Sequence, residues 1–494
     1  MADSATQIPT PTTATGKKRE IKADICIIGA GSAGLSTAYA AANLGLNTVL
    51  FEGAAMGGDC LNHGCVPSKA LLAAAKAAHD VRHTEKYGVT VDAEPSVDWQ
   101  RVRDHVQGVI DTIAPVDSVE RYESFGTTVI SEFARFEDAK TVVSDTTRVT
   151  AKRFVIATGS TAFIPPIPGL SEVPYLTNHT IFTTPDFPEK LTVLGGGPIG
   201  IEMAQAFQRL GSQVTVIEMG RALARADEGH AATALEALRK EGITILEGHK
   251  AVEVSGSAGD ITVRTETKDG GGESVSGTHI LVAVGRRTFL DGLDIEKANV
   301  KTERGNVVVK KTLQSVSNKR VWALGDSNGK AQFTHVAGHH ASIFTRAAIM
   351  GLPGVDADAT ALPAVTYMQP EIAQVGMTET EARQAFGDKV RTGVFPFHEN
   401  DRAIAERKTD GEVKIIWMGK KLLGASILGE GAGDLLQIVS VAMANNLGPG
   451  GLINHMSPYP TRAEAVKRAV SGSDDFGGRF FSSKAVRFLV GLRH

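Results

Sequence analysis

One pattern is written twice in this chain: an apolar run, a glycine turn, an Ala/Leu-rich segment, then a second apolar run closed by glutamate. "ADICIIGAGSAGLSTAYAAANLGLNTVLFE" covers residues 23–52 and "KLTVLGGGPIGIEMAQAFQRLGSQVTVIE" covers 190–218. Gly29, Gly31, Gly34 and Glu52 recur as Gly195, Gly197, Gly200 and Glu218, each 166 residues further on. In the first copy Ile25–Ile28 predicts a buried strand and the alanine-rich stretch after the glycines a helix. A strand running through Gly-x-Gly-x-x-Gly into a helix makes a tight turn and leaves backbone room for a pyrophosphate at the helix N-terminus. The distal carboxylate suits ribose hydroxyls. An ordinary parallel-sheet crossover accounts for one such stretch. Two copies sharing three glycines and a distal acid predict an α/β fold with two Rossmann-like dinucleotide-binding units. In the second copy Glu218 would accept from a 2′-hydroxyl and repel a 2′-phosphate, which favours NADH. Arg221 and Arg225 lie near enough to leave NADPH open.

Composition narrows the class. At 494 residues the chain has room for roughly two to four domains. Hydrophobic residues make up 42% and charged residues 22%, as in ordinary globular proteins. A net charge of −3 argues against broad nucleic-acid binding, which needs a strongly positive surface. There is no run of about eighteen apolar residues to span a bilayer. The opening "MADSATQIPTPTTATGKK" is rich in Ser, Thr and Pro without an apolar core. Residues 1–22 therefore read as a disordered tail rather than a secretion signal, and cytoplasm is the default compartment.

"GGDCLNHGCVPSKALL", residues 57–72, holds two of the three cysteines, Cys60 and Cys65. The pair alone is compatible with a staple, a metal site or a redox couple. Cytoplasmic thiols are normally kept reduced, which disfavours the staple. A metal site needs further soft ligands, and the third cysteine, Cys26, falls on the first strand, where it reads as a small buried apolar residue. Pro67 suits the first turn of a helix through "SKALLAAAKAA". Cys65 then lies near a helix N-terminus, where the dipole and Lys69 stabilise a thiolate.

Two dinucleotide units plus a CxxxxC pair resemble the flavin-dependent pyridine nucleotide–disulfide oxidoreductases, the family of dihydrolipoamide dehydrogenase, glutathione reductase and mercuric reductase. The likeness runs from about residue 22 to 470. It rests on "GAGSAG", "GGDCLNHGCVPSK", "VIATGS", "GGGPIG", "VAVGRR", "VWALGDS", "PEIAQVGMTETEA" and "NDRAIAE", in that order. The resemblance implies an FAD-binding domain over 23–170 and 289–350, an NAD(P)-binding domain over 171–288, and an α+β dimerisation domain over 355–470. FAD is then expected on Gly29, Gly31, Gly34, Glu52, Gly58, Thr158, Gly159 and Asp326. NADH is expected on Gly195, Gly197, Gly200 and Glu218, with Gly285 nearby. Cys60–Cys65 becomes a redox disulfide, with Cys65 on the flavin side and Cys60 as the interchange thiol that meets substrate. Lys69 is expected near the flavin, paired with Glu202. A homodimer follows, with electrons passing from NADH through flavin to the cysteines and on to a thiol, disulfide or soft-metal acceptor.

Several residues depart from the family pattern. Asp59 replaces a threonine and His63 stands between the cysteines. The carboxylate would raise the Cys60 pKa and an imidazolium lower it, or both face solvent. Disulfide-reducing members end in His-Pro-Thr-x-x-Glu, whereas this chain has Tyr459-Pro460-Thr461-Arg462-Ala463-Glu464. A phenol with an unperturbed pKa near ~10 is a poor proton shuttle at neutral pH. His455 upstream reads as a surface or interface histidine. Tyrosine at this position resembles mercuric reductase, although no cysteine follows Cys65 to deliver a metal. His335, His339 and His340 of "FTHVAGHH" read as flavin-side or structural residues rather than ligands. The segment 471–494 carries an apolar stripe of Phe481, Ala485, Phe488 and Leu492 with Lys484, Arg487 and Arg493 around it. Its residues 479–494 are compatible with a membrane surface or with docking on their own domain. Two other functional readings stand beside disulfide-linked reduction. One is an NADH:quinone, dye or oxygen reductase acting directly from flavin. The other is a redox-responsive, membrane-surface binding protein.

Overall fold

A computed structural model of the chain describes residues 18–359, 361–473 and 491. These fall into two compact units. One takes the described residues up to Leu194 with Val252–Arg264 and Ser274–Ala359. The other takes Gly195–Ala251, Thr265–Glu273 and the described residues beyond 360.

The first unit opens as the sequence predicts: strand β1 (Arg19–Ile28), helix α1 (Ser32–Asn43), strand β2 (Thr48–Phe51). β1 lies parallel to β2, Ile25 facing Thr48 and Ile28 facing Phe51, and parallel on its other side to the strand Thr147–Ile156. Thr127–Ile130 extends the sheet beyond β2 and Val321–Ala323 pairs with Thr147–Ile156, both in parallel. Two antiparallel strands, Arg135–Asp138 and Thr141–Val143, complete seven. Both faces are covered. Ile25, Ile27, Leu50 and Val155 pack with Ala33, Leu35, Ala38 and Ala41 of α1. Cys26, Ile28, Val49, Phe51 and Phe154 belong to the opposite core. Burial on both faces is why the strand reads as an unbroken apolar run rather than an alternation. Cys26 takes the buried role expected of it, and burial pushes its thiol pKa up.

β1 starts earlier than its apolar run suggests. Arg19–Lys22 ladder along Thr147–Thr150, so the last four residues of the expected tail are strand. Residues 1–17 of that tail, and residues 474–490 and 492–494 of the basic apolar tail, lie outside the described residues.

In the second unit the Gly195 turn leads into helix α3 (Pro198–Leu210) and strand β3 (Gln213–Glu218), which pairs in parallel with Thr244–Glu247; α2 is the helix Cys65–Arg82 of the first unit. Farther along, five antiparallel strands lie in the order Pro363–Thr366, Glu371–Gly376, Lys421–Gly429, Glu412–Met418, Arg391–Pro396. Ile415, Trp417 and Ile427 of that sheet share a core with Leu436 and Val439 of one helix and Val466 and Val470 of another. This is the α+β architecture expected of the last third. Among the described residues no helix is long and apolar enough to cross a membrane.

The glycines of the two turns are not equivalent in tolerance. A Cβ on Gly34 would stand 1.8 Å from the Gly29 carbonyl oxygen, whereas one on Gly197 would meet nothing within 4 Å. Gly34→Ala should lower the melting temperature by about 4 °C or more. Gly197→Ala should move it by about 1 °C at most. Differential scanning calorimetry of the two variants checks the contrast.

Candidate active site

The first glycine turn is built by close backbone approach. Gly29 has φ +104°, and a Cβ there would lie 2.4 Å from the Ala157 carbonyl oxygen, so no other residue fits. Its N–H donates to Phe51 O at 2.8 Å. Glu52 then clamps the turn, Oε2 accepting from Ala30 N–H at 2.7 Å and Oε1 from Ala54 N–H at 2.8 Å. Burial raises the Glu52 pKa, and these amides partly offset the rise. The second turn repeats this bond for bond. Gly195, φ +108°, donates to Ile217 O at 2.9 Å. Glu218 accepts from Gly196 N–H at 2.8 Å and Gly220 N–H at 2.7 Å. Helices α1 and α3 start at Gly31 and Gly197 with no side chain capping their first amides, and Gly200 is buried inside α3. Arg221 is tied to Glu228 at 2.5 Å.

Around the first turn the surroundings fit a flavin dinucleotide. Gly31 and Gly58 run backbone against backbone: a Cβ on Gly58, whose φ is +61°, would lie 2.7 Å from Gly31 Cα. The Thr158 hydroxyl oxygen is buried with no hydrogen-bond partner in the protein, as a group awaiting a polar ligand would be. Gly159 beside it has φ +71° and open space on its Cβ side. Asp326 Oδ2 accepts from Ser160 Oγ at 2.5 Å, and burial holds its pKa above the usual carboxylate range. Gly285, with φ +139°, accepts from Phe163 N–H at 3.0 Å. His340 serves the same region. Its Nδ1 accepts from Gly325 N–H at 3.0 Å, and burial lowers its pKa to about 4, so it stays neutral. His335 stacks on Phe333 at 5.2 Å.

Cys60 lies in a short helix, Gly58–Asn62, and Cys65 is the first residue of α2. Both are free thiols. They are strongly unequal. The Cys65 pKa falls to about 6, first because Cys60 hydrogen-bonds to it, then because of Thr334 and the Lys69 charge; burial and Asp59 oppose this. Cys60 shifts upward through the same bond and through burial. The proton therefore stays on Cys60 and the thiolate on Cys65. Thr334, at the start of helix α4 (Thr334–Phe344), places Oγ1 3.3 Å from Cys65 Sγ; the cysteine motif gave no hint of this partner. Lys69 Nζ reaches Ser68 Oγ at 3.3 Å.

Neither departure in the cysteine motif simply faces solvent. Asp59 Oδ2 lies 3.0 Å from Arg286 Nη2, and Oδ1 accepts from Asn178 Nδ2 at 2.9 Å and sits 3.4 Å from His179 Nε2. Burial alone would raise the Asp59 pKa, but the hydrogen bond to His179 and the Arg286 charge bring it below the ordinary value. Arg286 Nε also donates to Ser160 Oγ at 2.7 Å, so an unbroken polar chain runs Asp59–Arg286–Ser160–Asp326. The His63 ring stacks on His179, centroids 4.6 Å apart and 16° from parallel.

In the second unit Glu202 Oε1 accepts from Tyr367 N–H at 2.8 Å. The Tyr459 hydroxyl donates to Asp401 Oδ2 at 2.8 Å, and that bond and charge hold the phenol above its ordinary pKa. Glu464 accepts from Arg468 Nε at 2.9 Å, the two being one turn apart on one helix. His455 is exposed and bonds Ser457.

Thr334→Val removes a donor from the Cys65 thiolate. Its pKa should rise by about half a unit to one unit. The thiolate, populated above about 6 in the parent, should then form only at higher pH. The pH profile of iodoacetamide alkylation of the reduced protein measures this directly.

Residues 23–341 match the family "Pyridine nucleotide-disulphide oxidoreductase", and residues 362–470 match that family's dimerisation domain. The chain is 36% identical over 456 residues to a mercuric reductase of Streptomyces lividans, covering 90% of this chain and 95% of that one. It is 33% identical over 457 residues to a dihydrolipoyl dehydrogenase of Thermus scotoductus, covering 90% and 96%. Among solved structures, the Cu(II) complex of the HOCl-induced flavoprotein disulfide reductase RclA from Escherichia coli superposes with a TM-score of 0.80. The two are 27% identical, over 90% of this chain and 98% of that one. With two glycine turns, a polarised dithiol and these relatives along nearly its whole length, the chain belongs to the pyridine nucleotide–disulphide oxidoreductase family, as an FAD-dependent, NAD(P)H-using enzyme.

Proposed function

We propose that this oxidoreductase delivers electrons from NADH to a thiophilic metal cation at Cys60 and Cys65, in preference to a small organic disulfide. The observation that carries the reading is the pairing of a polarised dithiol with a phenol that stays protonated. Reducing a disulfide requires a proton for the departing thiolate, and the family's usual shuttle is a histidine. Tyr459, held above its ordinary pKa by Asp401, neither takes the Cys60 proton nor readily gives one to a departing thiolate near neutral pH. A soft metal makes no such demand. It binds thiolates and displaces the Cys60 proton to water, and Cys65 is already deprotonated at neutral pH. Relatives described as mercuric reductases and a structural neighbour solved with Cu(II) are in keeping with that acceptor.

The bound flavin supplies two-electron transfer between nicotinamide and dithiol. Gly29, Gly31, Gly34, Glu52, Gly58, Thr158, Gly159 and Asp326 hold it, within a domain spanning 23–170 and 289–350. Gly195, Gly197, Gly200 and Glu218 hold the nicotinamide dinucleotide, with Gly285 nearby, in 171–288. NADH is preferred because the Glu218 carboxylate is fixed at the strand end while Arg221 is engaged by Glu228. The working form is a homodimer. The dimerisation domain leaves Met456 94% and Tyr459 70% exposed, with Val441 and Leu447 also uncovered.

The test is anaerobic NADH oxidation with Hg(II), Cu(II), oxidised lipoamide and oxidised glutathione as acceptors. A metal should exceed either disulfide at least about tenfold in kcat/KM, and Cys60→Ser should lower metal turnover by about a hundredfold or more. A disulfide winning the comparison refutes the acceptor. Metal turnover unchanged in Cys60→Ser moves the chemistry to direct transfer from flavin.

A further inference from the structure

A cavity of about 370 Å³ opens against the outer side of the redox loop. Its walls include Asn62 and His63, from between the two cysteines, and His179. Opposite stand Arg103, Val106 and Ile110 of the helix Trp99–Ile113, with Phe182 alongside. The volume lies in the range of small-molecule sites, and the lining sets the apolar Ala55, Val106, Ile110 and Phe182 among polar side chains. Two of those polar groups are unspent. Arg103 Nε and His179 Nδ1 are buried with no hydrogen-bond partner in the protein. Arg103 uses its other nitrogens on Thr183 O and Gln100 Oε1, which fixes the guanidinium and leaves Nε over. His179 Nε2 lies 3.4 Å from Asp59 Oδ1, which leaves Nδ1 as the ring nitrogen available to a ligand. Asp104, the carboxylate at the rim, is exposed and accepts from Gln100 Nε2 at 2.7 Å.

Buried donors left without acceptors are costly unless a ligand supplies them. We propose that this cavity binds a small organic carboxylate, its oxygens taken by Arg103 Nε and His179 Nδ1 and its apolar body lying against Val106, Ile110 and Phe182. The occupant touches His63, whose ring stacks on His179, so the site reports to the loop that carries Cys60 and Cys65. This goes beyond the acceptor reading and does not depend on it, since the binding residues are neither cysteine nor flavin ligands.

Isothermal titration calorimetry on the FAD-loaded protein tests it, with benzoate, phenylacetate and the neutral phenylacetamide as probes. At least one carboxylate should bind with a millimolar or better dissociation constant, and phenylacetamide at least about tenfold more weakly than phenylacetate. Arg103→Met should weaken carboxylate binding about tenfold or more. His179→Phe keeps a ring to stack on His63 while deleting both nitrogens, and should weaken it similarly. No heat from either carboxylate at about 10 mM, equal binding of phenylacetate and phenylacetamide, or carboxylate binding unchanged in both variants overturns the proposal.

Discussion

A carbonyl oxygen occupies the space where residue 29 would carry a side chain. The Ala157 oxygen stands 2.4 Å from that point, and the Gly29 carbonyl in turn stands 1.8 Å from where a side chain on residue 34 would begin. Strand, turn and helix are thereby drawn closer than any residue but glycine allows. The uncapped amides at the start of α1 are brought beside the backbone of Gly58, two residues before Cys60. Glu52 holds the arrangement from behind with two backbone hydrogen bonds. Everything proposed for the first unit rests on this compression, which seats the cofactor cradle and the redox loop on one turn of chain.

The electrostatics of the dithiol follow from what surrounds it. Cys65 gains from the Cys60 proton, the Thr334 hydroxyl and the Lys69 charge, while Cys60 retains the proton. Asp59 would work against a thiolate so close by, but Arg286 and His179 share its charge. Replacing the family threonine with a carboxylate thus comes with its own counter-charges. The loop is tied through Arg286 and Ser160 to Asp326 on the far side of the cradle. At the other end of the chemistry the phenol of Tyr459 is kept protonated by Asp401. That protonated phenol, standing where the family has histidine, is the substitution on which the proposed metal acceptor rests.

Much of this was legible in the residues. The offset of 166 between the two glycine sets carries through to individual bonds, Ala30 and Ala54 on Glu52 answering to Gly196 and Gly220 on Glu218. Local pattern sufficed there because each turn is closed by residues within one βαβ unit. The partners of the redox loop come instead from distant segments. Thr334 is 269 residues from Cys65 and Asn178 is 119 from Asp59, and no periodicity links them. Arg286 and Asp401 sat inside recognised motifs without a role that sequence could assign. Glu464 matched its motif by position, and its side chain pairs with Arg468 one helical turn away. The early start of β1 was hidden because three of the four residues Arg19–Lys22 are charged and their pairing is with a strand far along the chain.

The account stands on Cys65 being a thiolate in electronic contact with the flavin. An anaerobic NADH titration followed by visible absorbance, on the parent and on Cys65→Ser, measures this most directly. A long-wavelength band that grows in the parent after two electrons and is missing from Cys65→Ser is the predicted result. Simple bleaching of the flavin, alike in both proteins, would take the cysteine pair out of the electron path and contradict it.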